Sequence, residues 1–249
     1  MSTIKAGSFS RLQIYSECPY RAKLAFVERV PEPERPPLPD GKEYPNDRGS
    51  RIHDYAENLV RGIEGFEEYV PPLINFKEEF EVLKRLYQDG QLLMEDLWLF
   101  DDGWNSLPSD LPPYDPRIWL RIKIDAFAIS QDGTRGVVID HKTGKRYGNE
   151  IKHGEQVQLY ALSVFLRFPE IEHLTTELWY LDLNEIQPFN ISRRHGLKFL
   201  KKWNERMLKM TSDTEFKPNN NTHSCRFCPY KTGEIYNGLM GTGHCDLNP

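Results

Sequence analysis

Two neighbouring segments constrain this chain more than any other feature. Ile118–Ser130 (IWLRIKIDAFAIS) alternates and is rich in β-branched and aromatic residues, and Gly136–His141 (GVVIDH) is a short apolar run. Between them, Gln131-Asp132-Gly133-Thr134 has the composition of a turn. Strand, turn and strand in this order predict a β-hairpin at the centre of a sheet. Thr175–Leu183 reads as a third strand and Ile186–Ile191 as a fourth. Helical spacing surrounds them. Residues 8–28 read as helical, with Pro19 opening a second helix because proline cannot continue a first. Ile52, Tyr55, Ala56, Leu59 and Val60 recur at helical intervals between Gly49 and Gly62, and Phe76–Asp89 stops at Gly90. Gln156–Phe168 reads as a buried helix and Ser192–Met210 as an amphipathic basic one. Val30–Pro45, carrying Pro31, Pro33, Pro36, Pro37, Pro39 and Pro45, is a loop, and 105–116 is a second proline-rich connection. The expectation is an α/β core with a central mixed β-sheet flanked by helices.

Composition matters here for what it excludes. The chain has 249 residues, 39% of them hydrophobic, enough for one well-buried domain. A mean hydropathy of −0.63 and the lack of any run of eighteen apolar residues argue against a membrane protein. Met1–Ser8 lacks the apolar stretch of a secretory signal, so a cytoplasmic protein with reduced thiols is expected, and disulfides are not. The net charge of −5 speaks against coating nucleic acid through overall charge, but a local basic surface and bound cations suffice for phosphate contacts. Arg193-Arg194-His195-Gly196-Leu197-Lys198, with Lys201-Lys202, reads either as a solvated helix face or as a DNA-facing surface. The seven histidines are scattered without a His-Glu-x-x-His, and there is no phosphate-binding loop of the helicase type.

The chemistry lies on the hairpin. Asp125 falls near the end of one strand and Asp140 near the end of its partner, and Lys142, two positions on, shares a strand face with Asp140. Carboxylates hold a hard divalent cation that neutralises phosphate and acidifies water, and a neighbouring ammonium orients that water or stabilises developing charge. Taken alone, Asp-x-Lys reads more readily as an exposed strand end with a salt-bridged pair.

Val137-Val-Ile-Asp140-His-Lys142-Thr-Gly-Lys145 resembles the core motif of the PD-(D/E)XK nucleases, specifically their RecB-like branch. Ile124-Asp125 is similar to the first acidic motif, with isoleucine where proline gives the family its name; Gln156-Val-Gln-Leu-Tyr160 is similar to the Gln-x-x-x-Tyr signature, and Gly49-Ser-Arg-Ile-His53 to the glycine-to-histidine helix. The resemblance implies a restriction-endonuclease-like core. It also implies that Asp125, Asp140, His53 and the backbone carbonyl of His141 bind Mn²⁺ or Mg²⁺. An imidazole ligand tilts the preference towards Mn²⁺. Lys142 would act on the attacking water, with Gln156 and Tyr160 supporting the site or touching DNA. Glu95 is either a further acid of the site or a surface glutamate. The implied activity is exonucleolytic cleavage at DNA ends in recombination, repair or DNA degradation, in a bacterial, archaeal or phage-infected cell. A separate helicase or recombination protein and a homo-oligomer are candidate partners. The rival is an idle nuclease fold that only binds DNA or scaffolds a complex; retention of Asp125, Asp140, Lys142 and His53 speaks against it.

Cys18, Cys225, Cys228 and Cys245 complete the inventory. Cys225-Arg-Phe-Cys228 has ligand spacing, and the residues alone leave an iron–sulfur cluster, zinc or ordinary reduced cysteines open. One early cysteine before proline with three late ones is similar to the iron–sulfur staple of AddB-type nucleases and of the nuclease of CRISPR adaptation. That resemblance implies a 4Fe–4S cluster clasping residues 1–28 to the tail 211–249 within a single nuclease domain, 1–249. The gap from Cys228 to Cys245 is longer than that family's, and His223 and His244 nearby keep zinc in play.

Overall fold

The computed structural model describes residues 2–38, 41–236 and 238–247; Met1, Pro39, Asp40, Asn237, Asn248 and Pro249 lie outside the described residues. The chain forms two compact units. One comprises Glu43–Asp115 and Ile122–Lys201, the other Met1–Lys42, Pro116–Arg121 and Lys202–Pro249.

The first-named unit holds the sheet. Helix α3 (Pro45–Arg61) opens on a proline, where an N–H would have no helical partner, and ends at Gly62 with a left-handed φ of 69°. A 3-10 turn, Leu73–Phe76, leads into α4 (Lys77–Gln88). The strands follow: β1 (Leu92–Phe100), β2 (Ser106–Leu107), β3 (Leu120–Ile129), β4 (Arg135–Lys142), then α5 (Glu150–Arg167), β5 (His173–Tyr180), β6 (Glu185–Ser192) and the short α6 (Arg193–Gly196). The sheet order is β2-β1-β3-β4-β5-β6. The expected hairpin β3–β4 lies at its centre and is antiparallel; β4 and β5 run parallel, and α5 supplies the crossover that parallel strands need. This is the α/β architecture expected. Ile52, Ala56 and Leu59 of α3 and Phe80 and Leu83 of α4 bury themselves with Ala126, Ile139 and Trp179 on one sheet face.

Three elements differ from expectation. Helix α5 begins at Glu150, six residues before Gln156, because its polar first turns give no apolar periodicity. The basic helix is two, α6 and α7 (Phe199–Ser212), and α6 packs so tightly that a Cβ at Gly196 would lie 2.4 Å from the Phe165 ring. Strand β1 went unseen because its pattern changes phase. Met94 packs with the α3–α4 side, while Trp98, an even number of residues on, packs edge-on against Phe127 and Phe168. Between them Glu95 takes a φ of 51°, a left-handed residue that turns the strand over and interrupts its alternation.

The other unit contains α1 (Phe9–Glu17), α2 (Pro19–Phe26), α7 from Lys202 onward, α8 (Thr222–Cys225) and a hairpin of β7 (Glu234–Tyr236) and β8 (Leu239–Met240). Pro19 opens α2 as expected, and the Ser8 side chain caps α1 by accepting the Arg11 N–H. Trp203, Met207 and Met210 of α7 form its buried face, and Tyr15 reaches Asp213 with a 2.7 Å hydrogen bond. No helix among the described residues is long and apolar enough to cross a membrane.

Candidate active site

The β3–β4 ladder runs from Ile129↔Gly136 to Ala126↔Ile139. Beyond that pair β4 keeps company with β5 as far as Lys142↔Tyr180, while the His141 N–H donates to Asp125 Oδ2 at 2.7 Å. A side chain thus replaces a main-chain partner where the two strands part. Alternation along β4 then sends Asp140 and Lys142 towards α5 and His141 towards α3 and α4.

On the α5 side, Asp140 Oδ1 accepts from Tyr160 Oη at 2.8 Å and from Gln156 Nε2 at 3.2 Å. Gln156 and Tyr160 are one helical turn apart and hydrogen-bond each other at 2.6 Å. The other end of the same amide, Gln156 Oε1, accepts from Lys142 Nζ at 2.8 Å, and Lys142 Nζ stands 2.5 Å from Asp140 Oδ2 in an ion pair outside hydrogen-bonding angles. Gln156 therefore ties the acid and the ammonium to one helix.

On the α3 side, His53 Nδ1 lies 3.3 Å from Asp125 Oδ2 and 3.9 Å from Glu95 Oε1, and Glu95 Oε2 pairs with Lys123 Nζ at 2.5 Å. The His141 ring stands against those of Phe80, Trp179 and His53. Ligand atoms of His53, Asp125 and His141 lie within 4.8 Å of one another. Asp140 is outside that trio. A concavity of about 440 Å³ opens beside it, lined by His53, Glu95, Lys123, Asp125 and Thr143 among others. Gly49 allows α3 this close, since a Cβ there would stand 3.2 Å from Thr143 Oγ1. Arg48 fixes the same helix end with a two-point bond to Asp182, whose Oδ2 also accepts the Gly144 N–H at 2.6 Å.

The charges are set by burial and by each other. Burial alone would lower the His53 pKa, but Asp125, Asp140 and Glu95 outweigh it and hold it up at about 9. Burial would raise Asp125; His53 and His141 overcome that and bring it to about 2. Asp140 is raised by burial, with Lys142 opposing and Asp125 reinforcing, and Glu95 is raised by burial as well. Burial lowers His141 to about 4, so at neutral pH it is an uncharged imidazole, and its buried Nε2 has no hydrogen-bond partner. A neutral imidazole with an orphaned nitrogen, a carboxylate and a second imidazole form a donor set that fits a divalent cation.

Asp125, Asp140, Lys142, Gln156, Tyr160 and His53 all gather where the strands part. His141, expected to offer its main-chain carbonyl, brings its imidazole as well. Glu95 sits inside the site with its side chain 8% exposed. Lys123 was missed, although its place two residues before Asp125 on one strand was the signal that could have found it. Elsewhere, all four cysteines line one small cavity with Tyr20, Leu24 and Asn219. Among the described residues no three of their sulfurs come within 4.8 Å of one another.

A carboxylate pair and a lysine at the parting of two central strands, backed by imidazoles, define a metal-dependent centre of the kind that cleaves phosphodiesters. The family model of the PD-(D/E)XK nuclease superfamily matches residues 6–232, and the chain belongs to that superfamily. Among solved structures, that of SSO0001 is similar over 97% of this chain and 90% of its own, at 14% identity and a TM-score of 0.37. No curated protein sequence matches the chain significantly.

Proposed function

We propose that this protein is a DNA exonuclease of the RecB-like branch, hydrolysing phosphodiester bonds from DNA ends with Mn²⁺ or Mg²⁺. The observation that carries the reading is the bridge of Gln156 between Asp140 and Lys142 beside Asp125. His53, Asp125 and the His141 imidazole would hold the cation, with Asp140 and the His141 carbonyl as further oxygen donors. When bound, the cation supplies charge neutralisation at the phosphoryl group. Gln156 and Tyr160 aim the Asp140 carboxyl by donating to Oδ1, and Gln156 Oε1 keeps the Lys142 ammonium pointing at the same place. A lysine so held can orient the attacking water or steady charge on the phosphate oxygens.

In this reading the four cysteines, which line one small cavity, would hold a structural 4Fe–4S cluster, with zinc as the alternative. Residues 1–249 would then act as one nuclease whose two ends, both in the same compact unit, are clasped by that cluster. We place the protein in the cytoplasm of a bacterial, archaeal or phage-infected cell, in recombination, repair or DNA degradation. A separate helicase or a second copy of the chain would be its partner.

The test is cleavage of end-labelled linear DNA and of closed circles with Mn²⁺, with EDTA as control. Progressive shortening of linear DNA is expected, with circles spared. Asp140→Asn and Lys142→Ala should each lower the rate by about 10²–10⁴-fold while DNA still binds. Equal cutting of circles would make the protein an endonuclease, and full turnover by either variant would remove the assignment.

A further inference from the structure

The segment that joins Lys142 to Gln156 presents a surface the cleavage chemistry does not use. Thr143 lines the concavity beside Asp125, and the chain then leaves the sheet before returning as α5. Its course is braced at several points. The Gly144 N–H is held by Asp182, Arg146 pairs with Glu185 at 2.8 Å and lies over the Tyr180 ring, and Asn149 Nδ2 donates to Lys145 O at 3.1 Å. The Gly148 N–H, in turn, goes to Glu150 at 2.8 Å. A segment held this firmly still leaves Tyr147 81% exposed and Ile151 85% exposed, in a chain that buries most of its large apolar side chains. Lys145 and Lys152, on either side of them, are exposed too.

An exposed ring on a braced backbone, flanked in sequence by two exposed lysines, matches the two chemistries of a nucleic-acid strand. Bases present flat faces for stacking, and the backbone presents one negative charge per nucleotide. In a duplex those base faces are already stacked. An aromatic side chain gains them only where the strand is single or its end has frayed.

Resting on the nuclease reading above, we propose that Tyr147 is a specificity residue that stacks on an unpaired base of the strand entering the site. Lys145 and Lys152 take its phosphates, and Ile151 abuts the same base. The protein thereby selects single-stranded or frayed DNA over intact duplex. Tyr147 accompanies the reaction without taking part in it.

The experiment compares the parent chain, Tyr147→Ala and Tyr147→Phe, in Ca²⁺ to slow cleavage. Each is titrated with a single-stranded oligonucleotide carrying the fluorescent base 2-aminopurine and with a blunt duplex of the same sequence. In Tyr147→Ala the single-strand affinity should fall about tenfold or more, the usual order for loss of one base–aromatic stack. The duplex affinity should move far less, and the melting temperature should stay within a degree or so because the side chain is exposed. Tyr147→Phe keeps the ring face and should bind like the parent, with the same change in 2-aminopurine emission. Equal single-strand binding by parent and Tyr147→Ala, in a parent that cuts DNA, overturns this inference and leaves the nuclease reading standing. A parent that neither binds nor cuts DNA overturns both.

Discussion

The pKa of His53 makes metal binding a proton-exchange reaction whose size follows from the structure. With Asp125, Asp140 and Glu95 around it, His53 holds a proton up to about pH 9 in the metal-free protein. A metal ligand must give that proton up. At pH 7 a group of pKa about 9 is about 99% protonated, so binding at His53 should release about one proton per ion. At pH 9 the release should fall to about half a proton. Apparent affinity should be about a hundredfold weaker at pH 7 than well above pH 9, about 2.7 kcal/mol of competition. His141 adds nothing to this count, because burial has already lowered its pKa to about 4. Calorimetric titration with Mn²⁺ in buffers of different ionisation enthalpy reads the proton number directly. The parent minus His53→Ala, both measured at saturating Mn²⁺, should differ by about one proton at pH 7. No difference would mean that His53 does not exchange its proton for metal, and the ligand assignment would fall. The same shifts act on the metal-free fold with opposite signs. The contribution of His53 is complete below its unfolded value of 6.5 and is lost as the pH rises through about 9. That of Asp125 is present above 3.8 and is lost as the pH falls through about 2.

Tyr160→Phe removes the 2.8 Å hydrogen bond to Asp140 and leaves that buried oxygen with Gln156 alone; chemical denaturation should show a loss of about 1.5–3 kcal/mol, and none would mean the bond carries no stability. Anaerobically purified protein should be brown with about four irons per chain, and Cys18→Ser should bleach it and lower its melting temperature, because the cluster closes a loop of some two hundred residues. Colourless protein containing zinc would refute the cluster and keep the clasp, whereas metal-free protein of unchanged stability would refute both.

The central hairpin, strands β5 and β6 and most helices were legible in the chain because their apolar spacing is regular and the carrying residues are close in sequence. The same holds for Asp140 and Lys142, whose common strand face needs only a period of two. Gln156 and Tyr160 likewise share a helix face at a spacing of four. Strand β1 was not legible, since the left-handed Glu95 changes which face of the sheet each side receives, and only packing shows where Met94 and Trp98 go. For the rest of the site the motif resemblance implied which residues belong, and tertiary structure decided how they meet. His53, Glu95, Asp125 and His141 come from four elements, and nothing in their sequence separations says they meet. Within Asp140-His141-Lys142 the middle residue could be read from the motif only as a main-chain donor. The pleat sends its imidazole through to the opposite face from its neighbours, where Phe80 and Trp179 bury it and keep it neutral beside Asp125. Sequence spacing reports which face a side chain leaves from, but burial and charge at its destination, which set its protonation and its chemistry, depend on elements folded in from elsewhere.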